Sequence, residues 1–168
     1  MRRQIAEVAL SSQEVLQGAL VGVLRHLANL DRADSYGFKG DGWEIDITGA
    51  LAEMAVAKYL NKYWSSVVDD PWQLDGDVDK QVQVRSSIRE DAHLLLHEKD
   101  KDGDFYVLVT GRHRHFVIVG WIRGTAAKRD EFWGDPKNTR RPAYWVPAGQ
   151  LAPIWTLPDA VAQARREP

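Results

Sequence analysis

At 168 residues, 44% hydrophobic and 27% charged, the chain has the size and balance of one globular domain, which excludes a disordered or fibrous protein. A formal net charge of −2 excludes a protein that coats nucleic acid by bulk electrostatics, though not an enzyme that gathers basic residues locally. With no cysteine, a disulfide framework, a thiolate metal site and a cysteine nucleophile are excluded as well. No apolar run reaches the ~18 residues that span a bilayer, and the N-terminus has no signal-peptide core, so the expectation is a cytoplasmic protein.

In chain order, Ile5, Val8 and Leu10 suit a short strand. Ser11 to Glu14 reads as a capping box. Val15, Leu16, Ala19, Leu20, Val23, Leu24 and Leu27 recur at helical spacing, predicting a helix over about 12–28. Arg25 and His26, near its C-terminal end, read as surface residues that suit the helix dipole. Residues 31–42 are polar and glycine-rich, a loop that Tyr36 and Phe38 could anchor. Trp43, Ile45 and Ile47 alternate with Glu44 and Asp46 as in a strand, with a helical lead-in as the other reading. Residues 49–60 form a strong helix with Thr48 as its N-cap.

Glu53 is the only ionisable residue among 49–57. On a helix it shares a face with Gly49, Ala50, Val56, Ala57 and Leu60, and a carboxylate on a closely packed face needs a partner. It reads either as an acid in or beside a metal site, or as a surface glutamate paired to Lys58 or Lys62. Residues 61–74, with Trp64, Val67, Val68, Pro71 and Trp72, hold a strand fragment and a loop.

The stretch 75–85 combines turn residues in its first half with polar and β-branched alternation in its second. Gln81, Gln83 and Arg85 fall on one face, Val82 and Val84 on the other. A chain reversal near Lys80 would set Asp77 opposite Gln83 and Asp75 opposite Arg85. An acid, an amide oxygen and a cation would then converge, as a metal-assisted phosphodiester site requires.

Beyond it, residues 94–96 and 105–110 read as strands joined by a turn at 99–104. A second turn at 112–115 leads into a strand over 116–122, giving an antiparallel meander. Residues 124–133 are helical or irregular, 137–141 form a basic loop, 144–147 a last strand, and about 159–166 a charged helix. His93 and His97 lack the glutamate of a zinc-protease helix, and His113 and His115 sit in a solvated turn. Asp100, Asp102 and Asp104 alternate like calcium ligands but lack the glutamate at loop position twelve, so they read as a solvated hairpin turn. No phosphate-cradling glycine loop occurs.

The order helix, hairpin, strands resembles the PD-(D/E)XK nuclease superfamily, in the form seen in small actinobacterial and phage proteins. The matching pieces are residues 49–60, Asp77-Val78, residues 83–87 and Gly120-Trp121-Ile122, within about 43–151. The resemblance implies one α/β domain of the α+β type over 1–168, with an αβββ core and a mixed, largely antiparallel sheet flanked by helices. It implies a Mg²⁺- or Mn²⁺-dependent hydrolase cleaving DNA, in the host cytoplasm if phage-encoded, with no membrane role and with a homo-oligomer open. Glu53, Asp77, Gln83 and the Val84 carbonyl would hold metal, and Arg85 would stabilise the phosphate; Asp79 is a further candidate ligand. Gln83 stands where the family carries an acid, Arg85 where it carries lysine, and Gly76 where it carries proline. Candidates for DNA phosphate contact are Arg112, Arg114, Lys128, Arg129, Arg140 and Arg141. The other readings are a nuclease fold that has lost catalysis and binds DNA or a protein partner, and a virion or assembly component with no nucleic-acid role, which the near-neutral charge also fits.

Overall fold

A computed structural model describes residues 5–30, 42–68, 76–136, 138 and 140–166. Tyr36, Phe38, Pro71, Trp72, Asp75 and Lys137 lie outside the described residues. The fold is α+β, with helices on one side of a four-stranded mixed sheet and a small second sheet on the other.

Strand β1 (Ala6–Ala9) buries Ala6 and Val8, then turns at Leu10 into helix α1 (Ser12–Asn29). The capping box forms: Glu14 N–H donates to Ser11 Oγ at 3.2 Å and Ser11 N–H to Glu14 Oε2 at 2.6 Å. Helix α2 runs over Gly42–Tyr59, so the strand expected at Trp43, Ile45 and Ile47 is helix instead. The cause is tertiary. His26 of α1 stacks on Trp43 at 4.2 Å between ring centroids and meets Asp46 at 2.8 Å, docking this turn onto α1. Thr48 is consequently buried mid-helix rather than capping it.

Helix α2 lies between α1 and the sheet, which is why its central residues are apolar almost all round. Gly18 and Gly22 are the two buried residues of α1. A Cβ on Gly22 would stand 2.4 Å from the Ile47 backbone, so the two helices approach as closely as backbones allow.

The main sheet has the order β1-β5-β4-β2, with β2 (Val82–Ser87), β4 (Phe105–Arg112) and β5 (His115–Arg123). Strand β4 is central and buried along most of its length, matching its unbroken apolar run. Phe105, Val107 and Val109 face α2, while Tyr106 and Leu108 face the second sheet. The turn at 112–115 closes an antiparallel β4–β5 hairpin, with a bulge at Val119 opposite Leu108 and Val109.

The expected meander is not formed. Strand β2 pairs with β4 in parallel, Gln83 opposite Tyr106 and Ser87 opposite Thr110. Strand β3 (Leu94–Leu96) leaves this sheet and pairs with β7 (Ala143–Val146), which also carries β6 (Trp133–Gly134). Leu94 and Leu96 are both fully buried beneath Tyr106 and Leu108, so β3 caps the face of the main sheet rather than extending its edge. The segment 124–133 is a short helix α3 (Gly124–Ala127) and a 3-10 turn (Asp130–Phe132). Helix α4 (Leu157–Ala164) closes the domain, sealing the α2 side of the core with Leu157 and Val161. Among the described residues, no helix is long and apolar enough to cross a membrane.

Candidate functional site

The chain does reverse at Lys80. Asp79 and Val82 form an isolated bridge, Val82 N–H donates to Asp79 O at 2.9 Å, and Asp77 N–H donates to Val82 O at 2.8 Å. Gly76 makes this turn possible. Its φ of +124° lies in the left-handed half, and a Cβ there would stand 1.9 Å from Asp79 O. Proline, held near φ −65°, cannot take this conformation, so the backbone itself excludes the expected "PD" proline at position 76.

The turn returns Asp77 to the free edge of β2, where its Oδ2 accepts the Val84 N–H at 2.6 Å. The Val84 carbonyl is approached by Arg85 Nη1 at 3.4 Å. Val82 and Val84 are buried in the core that α2 covers. Gln83 and Arg85 point to the other face, as the alternation predicts: Gln83 Nε2 donates to Asp104 Oδ2 at 3.1 Å, and Arg85 lies 5.4 Å from the Tyr106 ring centroid. Arg85 also meets Asp100 at 3.4 Å. Asp77 therefore faces Val84 of the returning strand, and Gln83 faces Asp104 instead.

Glu53 does need a partner, and neither Lys58 nor Lys62 supplies it. Lys58 pairs with Glu14 at 2.7 Å and Lys62 with Asp79 at 3.7 Å. Arg25 meets Glu53 as a fork, Nη1 to Oε1 at 2.7 Å and Nη2 to Oε2 at 2.9 Å. Trp64 Nε1 adds a third donor at 3.1 Å, and Arg25 Nε reaches Val67 O at 2.9 Å. Arg25 and His26 are thus part-buried interior contacts, not the surface residues expected.

The charges act on one another. Burial pushes Glu53 up and the Asp77 charge adds to this; Arg25 and Trp64 pull the other way, and the balance stands at about 7. Burial likewise raises Asp77, against the Val84 N–H, Arg85 and Arg25, with Asp104 adding to the rise. Burial works to lower Arg25, yet its hydrogen bonds and charge contacts with Glu53 hold it above its ordinary value. The fork as it stands pairs Arg25 with an ionised Glu53, the form that dominates above about 7.

Asp104 is the acid that sequence reasoning missed. It is 5% exposed, at the head of β4 against Gln83, and not part of a solvated turn. Its neighbours are also structural: Asp100 accepts His97 N–H at 2.9 Å, and Asp102 pairs with Lys128 at 2.7 Å. The available signal was its place immediately before an unbroken apolar strand. Asp104 also lines a cleft of about 760 Å³ with Asp79, Lys80, Gln81, Lys101 and Arg165. Asp79 is not set up as a metal ligand. Arg165 meets it at 2.6 Å, and although burial pushes its carboxyl up, the Lys80 N–H and Arg165 hold it below the usual range.

The expected phosphate contacts are dispersed. Lys128 is committed to Asp102 and to the carbonyls of Glu98 and Asp100, holding the turn before β4. Arg129 lies on Phe132 and pairs with Glu131 at 2.9 Å. Arg114 ties the β4–β5 turn to Ser12 at 2.8 Å. Arg112 and Arg114 flank the far end of β4, roughly 25 Å along the strand from Asp104. Arg140 and Arg141 are exposed beyond β6. His93, His97, His113 and His115 are all exposed.

Magnesium takes hard oxygen ligands and keeps several waters, needing only one or two carboxylates. Asp77, Asp104, the Gln83 amide oxygen and the Val84 carbonyl are donors of that kind; Glu53, filled by Arg25 and Trp64, is not presented as one. Among the described residues, no three His, Asp or Glu side chains converge as a metal-holding group. Compared with protein-family models, with curated proteins and with solved structures, the chain matches none.

Proposed function

We propose that the chain is a divalent-metal-dependent DNA nuclease of the PD-(D/E)XK type, acting at the β2 edge. The observation that supports this best is Asp104, which touches Gln83 and also lines a cleft carrying Lys80, Lys101 and Arg165. A buried carboxylate beside basic side chains suits a phosphate that arrives with a divalent ion. Asp77 and Asp104 would hold Mg²⁺ or Mn²⁺ with the Gln83 and Val84 oxygens, and the ion supplies Lewis-acid chemistry at the phosphate. Arg85 cannot act as a base, because guanidinium stays protonated, and serves instead to hold and neutralise phosphate oxygens. The Val84 N–H keeps one Asp77 oxygen fixed, leaving the other for the site. Arg25 holds Glu53, and its charge also acts directly on Asp77.

The test is Mn²⁺ titration by calorimetry together with DNA cleavage in Mg²⁺, Mn²⁺ or EDTA. The expected result is metal-dependent cleavage, lost in Asp77→Asn, with Asp104→Asn weakening Mn²⁺ binding roughly tenfold or more, or about 1.4 kcal/mol. Cleavage undiminished in Asp77→Asn would overturn the assignment. A second reading rests on the Arg25–Glu53 fork, which puts a fixed cation against an acid the resemblance assigns to metal. On that reading the protein binds DNA without cutting it, giving salt-sensitive, metal-independent binding and no cleavage.

A further inference from the structure

Helix α1 is oriented against its own composition. Its inward face is Gly18 and Gly22, pressed on α2, while its leucines point out: Leu16 is 70% exposed, Leu20 56%, Leu24 40% and Leu27 49%. A helix that packed on one neighbour alone would bury its largest apolar side chains. Glycines inward and leucines outward are the pattern of a helix with two partners, one reached at backbone distance and one through leucines.

We propose that the second partner is another copy of this chain, packed antiparallel along α1. Three observations select it. The stripe is self-complementary: an antiparallel copy sets Leu16 against Leu27 and Leu20 against Leu24, as a two-fold interface demands. The segment 15–24 carries no charged residue, so two copies meet without like-charge repulsion, and no charge there singles out a different partner. With Leu30, itself 50% exposed one turn past Leu27, the exposed leucine surface is on the order of 500 Å² per copy, as large as the biggest apolar patch a monomer ordinarily carries. Doubled, it reaches the ~1,000 Å² that a specific interface needs. The stripe lies on the side of α1 away from α2, so the dimer leaves the Arg25–Glu53 contact untouched.

Sedimentation equilibrium of the full chain tests the proposal, with a dimer expected for the wild type. Leu20→Glu, a change at an exposed position, should give a monomer with unaltered circular dichroism. Because the chain lacks cysteine, Leu20→Cys and Leu24→Cys proteins can be mixed and oxidised without background. A mixed 20–24 disulfide is the expected product. A wild type that stays monomeric at every concentration, including one that instead floats with lipid vesicles, overturns the proposal. So does a dimer that survives Leu20→Glu, or cross-linking confined to identical positions.

Discussion

Glu53 is the residue on which the site's electrostatics turn. Burial and Asp77 raise its carboxyl to about 7 from an ordinary value of 4.5. Between those two values the unfolded chain has released the proton that the folded chain keeps, so the folded state loses stability as pH rises. The contribution is fully present below about 4.5 and gone above about 7. In EDTA, the thermal midpoint should therefore fall across that window, by several degrees for a chain of this size. Asp77→Asn removes the charge next to Glu53 and keeps an acceptor for the Val84 N–H, so the fall should become shallower. An unchanged slope in Asp77→Asn, read by scanning calorimetry across pH, would show that Asp77 does not act on Glu53.

At the scale of elements, α1 explains what the sequence could and could not show. Its cap and length follow from local signals, and both are present in the structure. Its orientation does not, because the leucines form the evident apolar stripe and glycines announce no face. Gly18, Gly22 and Arg25 are spaced four and three apart, so they share a face. Reading the glycines as the packed face would have turned Arg25 inward and found the partner of Glu53. Gly22→Ala tests how tight that face is. The substitution gains roughly 1 kcal/mol of helix propensity but meets Ile47 backbone, and overpacking of this kind costs about 1–3 kcal/mol. Gly22→Ala should lower stability in urea by about 1 kcal/mol. Gly18→Ala should lose less, since its obstacle is the end of the Leu51 side chain.

For the whole molecule, strands at 81–85 and 105–110 were legible, each a residue or two short of its end in the structure, but the pairing was not. Parallel β2–β4 pairing depends on β3 leaving the sheet to cover Tyr106 and Leu108, a choice made by the second core rather than by any local turn. The same topology divides the basic residues. Lys80, Lys101 and Arg165 gather at the cleft beside Asp104, whereas Arg112 and Arg114 lie at the opposite end of β4. Charge reversal at Lys80 or Lys101 should thus weaken DNA binding and reduce its salt dependence, by about one in the log–log slope per contact removed. Arg112→Glu should leave both unchanged, and an equal loss from the two ends, measured by fluorescence anisotropy, would place DNA elsewhere.

The parallel pairing also sets when the site can exist. Asp77 reaches Val84 across 7 residues, a loop that closes early and locally, whereas Gln83 meets Asp104 across 21 and Arg25 meets Glu53 across 28. The longer closures wait on β4 and on the docking of α1, and non-local contacts of that kind are the slow ones in folding. A growing chain emerging from the ribosome therefore forms the Asp77 turn well before its second carboxylate arrives. The constellation is completed only when the sheet is, and a half-made copy of this protein holds the Asp77 turn without Asp104.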